Sequence, residues 1–152
     1  MEFNGFSHFI STYPEEYKEK VLVDSNVWIG SLWQPDSMYE KARSLLERVS
    51  NLYVVYVHDL IILETLTVLR NKKVPHLSEI YEKFLEEDYA YIDNTPLNLG
   101  VSKPLFERFP KLSIVDAFLL YLCWDKNYAL LTLDKNLLKA AKELKIKVID
   151  SV

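Results

Sequence analysis

Five short apolar runs punctuate this chain, Val21 to Val23, Leu52 to Val57, Tyr89 to Ile92, Ala129 to Leu133 and Lys147 to Ile149, and segments of helical length separate them. Strands alternating with helices in this way pair in one direction, with helices covering both faces of the sheet. The helical segments are read as Asp36 to Arg48, Asp59 to Asn71, Ser78 to Glu87, Pro96 to Phe109, Ser113 to Lys126 and Lys135 to Leu144. Thr95 before Pro96, and Ser113 before its apolar stretch, supply suitable starts. With 152 residues, 49% of them hydrophobic, the chain suffices for one domain with a full core. Its three glycines and six prolines are scattered, and none of them builds a linker. Residues 1–20 carry Phe3, Phe6, Phe9, Ile10, Tyr13 and Tyr17 and are expected to pack as an accessory segment beside a domain spanning 21–152.

Bulk properties exclude several classes. The single cysteine, Cys123, rules out a disulfide within the chain and suits a reducing compartment. No apolar run is long enough to span a membrane, and the N-terminus lacks the basic start and apolar centre of a signal peptide. The expectation is a soluble, cytoplasmic protein. A net charge of -4 provides no global basic field for nucleic acid, so a phosphate-rich ligand must be held locally.

Four acids stand alone in apolar surroundings: Asp24 in VLVDSNVWIG, Glu64 in LIILETLTVL, Asp116 in LSIVDAFLLYLCW and Asp134 closing YALLTLD. A carboxylate taken out of water without a compensating partner is costly. No Lys or Arg lies in these runs, which leaves a metal ion as the simplest common compensator. Oxygen-only ligation favours Mg²⁺ or Mn²⁺. Asp24 and Asp134 directly follow strands, so both belong on the carboxyl edge of a parallel sheet, where ligands bind at the reversal of strand order. Each acid also has a plainer reading: Asp24 as a turn former, Glu64 as a half-exposed helix residue, Asp116 as a first-turn acid and Asp134 as an N-cap.

Taken in order, these segments resemble the PIN-domain nucleases. VLVDSNVWIG is similar to their opening strand motif, LETLTVLR to their acidic second helix, LSIVDAFLLYLC to the helix of the third acid, and LLTLDKNLLKAAK to the strand and helix of the fourth. The resemblance covers about residues 21 to 150. It implies a three-layer α/β/α fold with a central parallel sheet of about five strands. It also implies metal-centred catalytic roles for Asp24, Glu64, Asp116 and Asp134, with Ser25, Asn26 and Thr132 supporting them. Among PIN proteins the compact form is similar to the ribonuclease toxins of VapBC toxin-antitoxin pairs. That likeness implies a Mg²⁺- or Mn²⁺-dependent endoribonuclease, an RNA substrate, a small antitoxin partner and a homodimer. Two departures stand out: the stretch before the first strand is longer than in typical small toxins, and Asn136 stands where some relatives carry a further acid, which implies weaker binding of a second ion.

Other features are weighed beside these. Arg70, Lys72, Lys73, Arg108, Lys111 and Lys135 are candidate RNA contacts, against a plainer reading as solvated helix ends. Trp28 and Trp33 are placed in a loop after Asp24, where they would meet substrate or partner. Leu63, Leu66 and Leu69 are candidates for a dimer face. His8, His58 and His76 lack metal-ligand spacing and are read as structural or exposed, His58 preceding a helix on the active edge. The competing function is a catalytically silent PIN-like module that binds RNA or protein. A phosphotransfer receiver is disfavoured, because Glu19 and Lys147 do not occupy the positions it requires.

Overall fold

The computed structural model describes residues 18–149. In chain order the elements are β1 (Glu19–Val23), α1 (Ser25–Leu32), α2 (Tyr39–Leu52), β2 (Tyr53–His58), α3 (Asp59–Asn71), α4 (Leu77–Leu85), β3 (Tyr91–Asp93), α5 (Leu99–Arg108), α6 (Ile114–Lys126), β4 (Ala129–Leu131) and α7 (Lys135–Glu143). The four strands are parallel in the order β3-β2-β1-β4. The chain steps from β1 to β2 to β3 in one direction and then crosses back to place β4 on the other side of β1. Right-handed crossovers therefore put α1 to α4 on one face, and α5 and α6 on the opposite one. The direction reverses between β1 and β4.

The centre of the core is formed by the apolar runs of β1, β2 and β4. Val21, Leu22, Val23, Leu130 and Leu131 are fully buried, as expected for strands covered on both sides. On one face Trp28 of α1 packs edge-on against Phe84 of α4, ring centroids 5.4 Å apart. On the other, α6 buries Phe118, Leu119, Leu120 and Leu122, which accounts for its nearly unbroken apolar sequence. Phe118 meets the ring of His58, the residue that ends β2, at 5.4 Å.

Several expectations are revised. The fifth strand is reduced to one parallel bridge of Val148 to Leu130, held by Leu130 N–H to Lys147 O and Ile149 N–H to Leu130 O. β1 takes in Glu19 and Lys20 ahead of the expected run from Val21. The loop expected after Asp24 is helix α1, and Trp28 is fully buried in the core, out of reach of any substrate. Trp33 caps that helix with its ring 4.6 Å below Lys72 Nζ. The first long helix starts at Tyr39 rather than Asp36. Asn98, through its side chain, caps α5, so Thr95 and Pro96 precede that helix. The accessory segment, His8 included, lies outside the described residues except for its last three positions.

Candidate metal and nuclease site

The carboxyl ends of β1 and β4 are clamped together by side chains. Asp24 N–H donates to Leu131 O across the strands. The Thr132 hydroxyl donates to Asp24 Oδ2 at 2.8 Å and accepts from Asn26 Nδ2 at 3.2 Å and from the Asp134 N–H at 3.1 Å. Asn26 Oδ1 accepts from the Leu133 N–H at 3.0 Å. Ser25 N–H donates to Asp24 Oδ1 at 2.8 Å. Thr132, braced by Asn26, thus joins Asp24 to Asp134, although more than a hundred residues separate the two ends in sequence.

Three of the four acids also begin helices. Asp24 is the N-cap of α1, and Asp134 caps α7 by accepting from Asn136 and Leu137 N–H at 2.8 and 3.2 Å. Asp116 forms a capping box with Ser113 at the start of α6. Helix N-termini offer unsatisfied N–H groups and the positive end of the dipole. Part of the compensation sought in a metal is therefore supplied by backbone, and the plainer readings of Asp116 and Asp134 coexist with a place in the site. Glu64 is exposed on α3, despite its apolar neighbours in sequence.

Charge couples the four. Burial pushes Asp24 up to about 6, the Thr132 hydroxyl and Ser25 N–H oppose the rise, and the charges of Asp116 and Glu64 add to it. Asp116 is likewise raised, first by burial, against its bonds to Ser113, with Asp134 and Glu64 adding. A buried acid facing other acids is relieved by a cation. The donors are all oxygen, which matches a hard divalent ion. Among the described residues no three His, Cys, Asp or Glu side chains form a ready-made metal-binding group as they stand. Mg²⁺ retains several waters and needs only one or two carboxylates directly, so this looser set still fits it.

The residue types therefore agree with the family comparison, in which the model of the PIN domain matches residues 21–143. The chain belongs to the PIN domain family. PIN nucleases generally use divalent metal ions. Among solved structures this PIN domain is similar to Mycobacterium tuberculosis VapC20, described as a Sarcin-Ricin loop cleaving toxin. The TM-score is 0.63 at 17% identity, over 79% of this chain and 94% of that one. It also resembles PAE2754 from Pyrobaculum aerophilum, TM-score 0.58 at 16% identity over 86% and 95%. FitAcB from Neisseria gonorrhoeae gives 0.58 at 14% identity over 86% and 96%. No curated protein matches the sequence significantly.

The candidate RNA contacts separate by position. Lys135 follows Asp134 at the start of α7, and Lys111 lies two residues before the cap of α6, both beside acids of the site. Arg70, Lys72 and Lys73 lie at the far end of α3, Arg70 about 9 Å beyond Glu64 along the helix. Arg108 points to Glu143, 4.0 Å away at the last residue of α7. His58 caps α3, its Nδ1 accepting from Leu60 N–H at 3.0 Å and its Nε2 donating to Thr95 O at 2.7 Å, which is a structural role.

Sequence reasoning missed a second buried aspartate. Asp93 ends β3 and accepts from Thr95 N–H, Thr95 Oγ1, Lys126 Nζ and Tyr128 Oη at 2.9, 2.6, 2.9 and 2.6 Å. Burial alone would raise it, but these donors more than offset that and hold it well below the usual carboxylate range. The Asn-Thr that follows it is the one local signal, an Asx-turn pattern at a strand end. Its cation is supplied from α6, more than thirty residues away.

Among the described residues no helix is long and apolar enough to cross a membrane.

Proposed function

We propose that this PIN domain is a Mg²⁺- or Mn²⁺-dependent endoribonuclease that hydrolyses RNA phosphodiester bonds and serves as the toxin of a toxin-antitoxin pair. The observation that carries the reading is Asp24. It is buried at the β1/β4 switch point, pushed up to about 6 among acids, and locked by Thr132 and Ser25 in a fixed orientation. Asp24, Glu64, Asp116 and Asp134 would hold the ion. When bound, it supplies charge neutralisation at the phosphate and lowers the pKa of water. Thr132 and Asn26 orient the carboxylates, the N-termini of α1, α6 and α7 favour an anionic substrate, and Lys135 and Lys111 attract its backbone. The toxin assignment draws on the likeness to VapC20.

A homodimer belongs to the same reading. Of the leucines on α3, Leu69 is buried and Leu66 half-buried, while Leu63 is 65% exposed and free to meet a second copy. Light scattering should give twice the 17.9 kDa chain mass.

The alternative, a silent PIN-like module that binds RNA or protein, draws on the absence of a ready-made metal group among the described residues. Cleavage of a panel of structured and single-stranded RNAs with Mg²⁺, Mn²⁺ or EDTA separates the two. Metal-dependent cleavage that falls at least about a hundredfold in Asp116→Asn, with the fold retained, supports the nuclease. No cleavage, together with no metal binding by calorimetry, supports the silent module.

A further inference from the structure

At the end of the sheet opposite the acids, a cleft of about 450 Å³ opens where β1 and β4 begin and where α6 and α7 end. Among the described residues Lys18, Lys20, Lys126, Lys145 and Lys147 line it, with Glu19 as the one acid. A concave wall so positive is anomalous on a chain of net charge -4. Lysines at helix C-termini complement the dipole, which accounts for Lys126 and Lys145. It does not account for Lys18 and Lys20, which enter from the start of a strand. Two of the five are ion-paired, Lys126 to Asp93 at 2.9 Å and Lys147 to Glu19 at 2.7 Å, and Lys20 Nζ lies over the Tyr56 ring at 5.6 Å. Among the described residues Lys18, Lys20 and Lys145 have no acid within ion-pair distance. Trp124 stands on the wall with 67% of its surface exposed, the most exposed large apolar side chain among the described residues.

A basic groove beside an exposed aromatic ring is the combination that holds single-stranded nucleic acid, lysines following the phosphates and the ring stacking on a base. We propose that this cleft is a second RNA-binding site, remote from the carboxylates, that takes a single-stranded segment of the substrate. Lys20 and Lys145 neutralise its phosphates and Trp124 stacks on one base. The two sites are separated by the length of β1, about 16 Å, which a few nucleotides bridge. The inference rests on the reading that the protein acts on RNA, and it adds where a flanking strand is held.

The test is fluorescence anisotropy of a labelled single-stranded RNA of about 12 nucleotides. The full chain carries Asp116→Asn and EDTA is present, so that no cleavage intervenes. Adding Lys20→Glu and Lys145→Glu together should weaken binding at least about tenfold and flatten the salt dependence by roughly 1.4 log units per log unit of salt. Trp124→Ala should weaken it about fivefold and leave the salt slope unchanged. Lys41→Glu with Arg48→Glu, on the exposed face of α2, changes net charge equally and should leave affinity within about twofold. Cleft variants that bind like the parent, a control pair that weakens binding as much, or a parent without RNA affinity would each overturn the proposal. Anisotropy is read beside cleavage by the unsubstituted chain. RNA held through the cleft without cleavage refutes the nuclease and keeps the cleft, whereas cleavage with cleft variants undiminished in binding refutes the cleft and keeps the nuclease.

Discussion

Metal-free protein carrying Asp24→Asn should unfold at a higher temperature than the parent at pH 7 and should have lost RNA cleavage by at least about a thousandfold. The stability gain follows from the raised carboxyl. An ordinary Asp in the unfolded chain ionises near 3.8, whereas folded Asp24 holds its proton up to about 6. Between those values the folded state binds more protons than the unfolded state, so stability falls as pH rises through the window. Above it the full penalty persists, about 3 kcal/mol for a shift of roughly two units. Asn removes that penalty but cannot accept from both Ser25 N–H and the Thr132 hydroxyl, which costs about 1 kcal/mol. The net gain of about 2 kcal/mol corresponds to roughly 4–8 °C for a chain of this size. Thermal melts from pH 4 to 7 check it: the variant should be about 1 kcal/mol less stable than the parent at the acid end, where only the lost hydrogen bond counts, and about 2 kcal/mol more stable by neutrality. Adding Mn²⁺ should raise the parent's melting temperature and leave the variant's unchanged. A variant no more stable than the parent at pH 7 would mean that Asp24 is compensated by groups other than its cap and Thr132.

Asp93→Ala should destabilise the domain by about 3 kcal/mol, the lower end for breaking a buried ion pair. Tyr128 is buried and loses the acceptor of its hydroxyl, and Thr95 loses the anchor of its turn, while Lys126, with its side chain 37% exposed, can turn to water. The pH dependence has the opposite sign to that of Asp24. A depressed carboxyl contributes stability that is present above its ordinary unfolded value and is lost as pH falls toward the folded one. The parent should therefore lose stability below about pH 4 in a way that the Asp93→Ala protein does not. Urea unfolding of the two proteins at pH 3 and pH 7 measures both quantities. Equal losses at the two pH values would show that packing, rather than the ionised network, sets the cost.

The contrast between these two aspartates shows how much a buried acid depends on what surrounds it. Both are nearly inaccessible, Asp24 at 6% and Asp93 at 5%. Asp93 faces a lysine, a tyrosine and a threonine, and nature has left it the better ionised of the two. Asp24 is held up first by burial and then by the charges of Asp116 and Glu64, and its charged form is strained in a way that a cation would relieve.

How much of this was legible beforehand follows from range. The apolar runs and helical segments identify the α/β class, because strand and helix periodicities are local, and α3 appears at the predicted bounds. An acid alone in an apolar run is equally a local signal, so Asp24, Glu64, Asp116 and Asp134 were visible as a set. Helix α1 was not, since its sequence SNVWIGSL mixes β-branched residues with glycine and has little helical preference of its own. It is held by tertiary packing: a Cβ on Gly30 would come within 3.1 Å of Ala42 Cβ, and Trp28 fills the space against Phe84 and Tyr89. The fifth strand failed for the complementary reason, a β-like run that meets its neighbour at one residue only.

By itself, then, the sequence determined the class of fold and marked out four acids set in apolar runs, because both are written in patterns a few residues long. The tertiary structure alone decided that Thr132 joins Asp24 to Asp134, that Asp93 meets Lys126, and that lysines from both ends of the described chain share one cleft. Each of these depends on the order β3-β2-β1-β4, which brings residues more than a hundred positions apart to one edge, and hydrophobic periodicity carries no record of strand order.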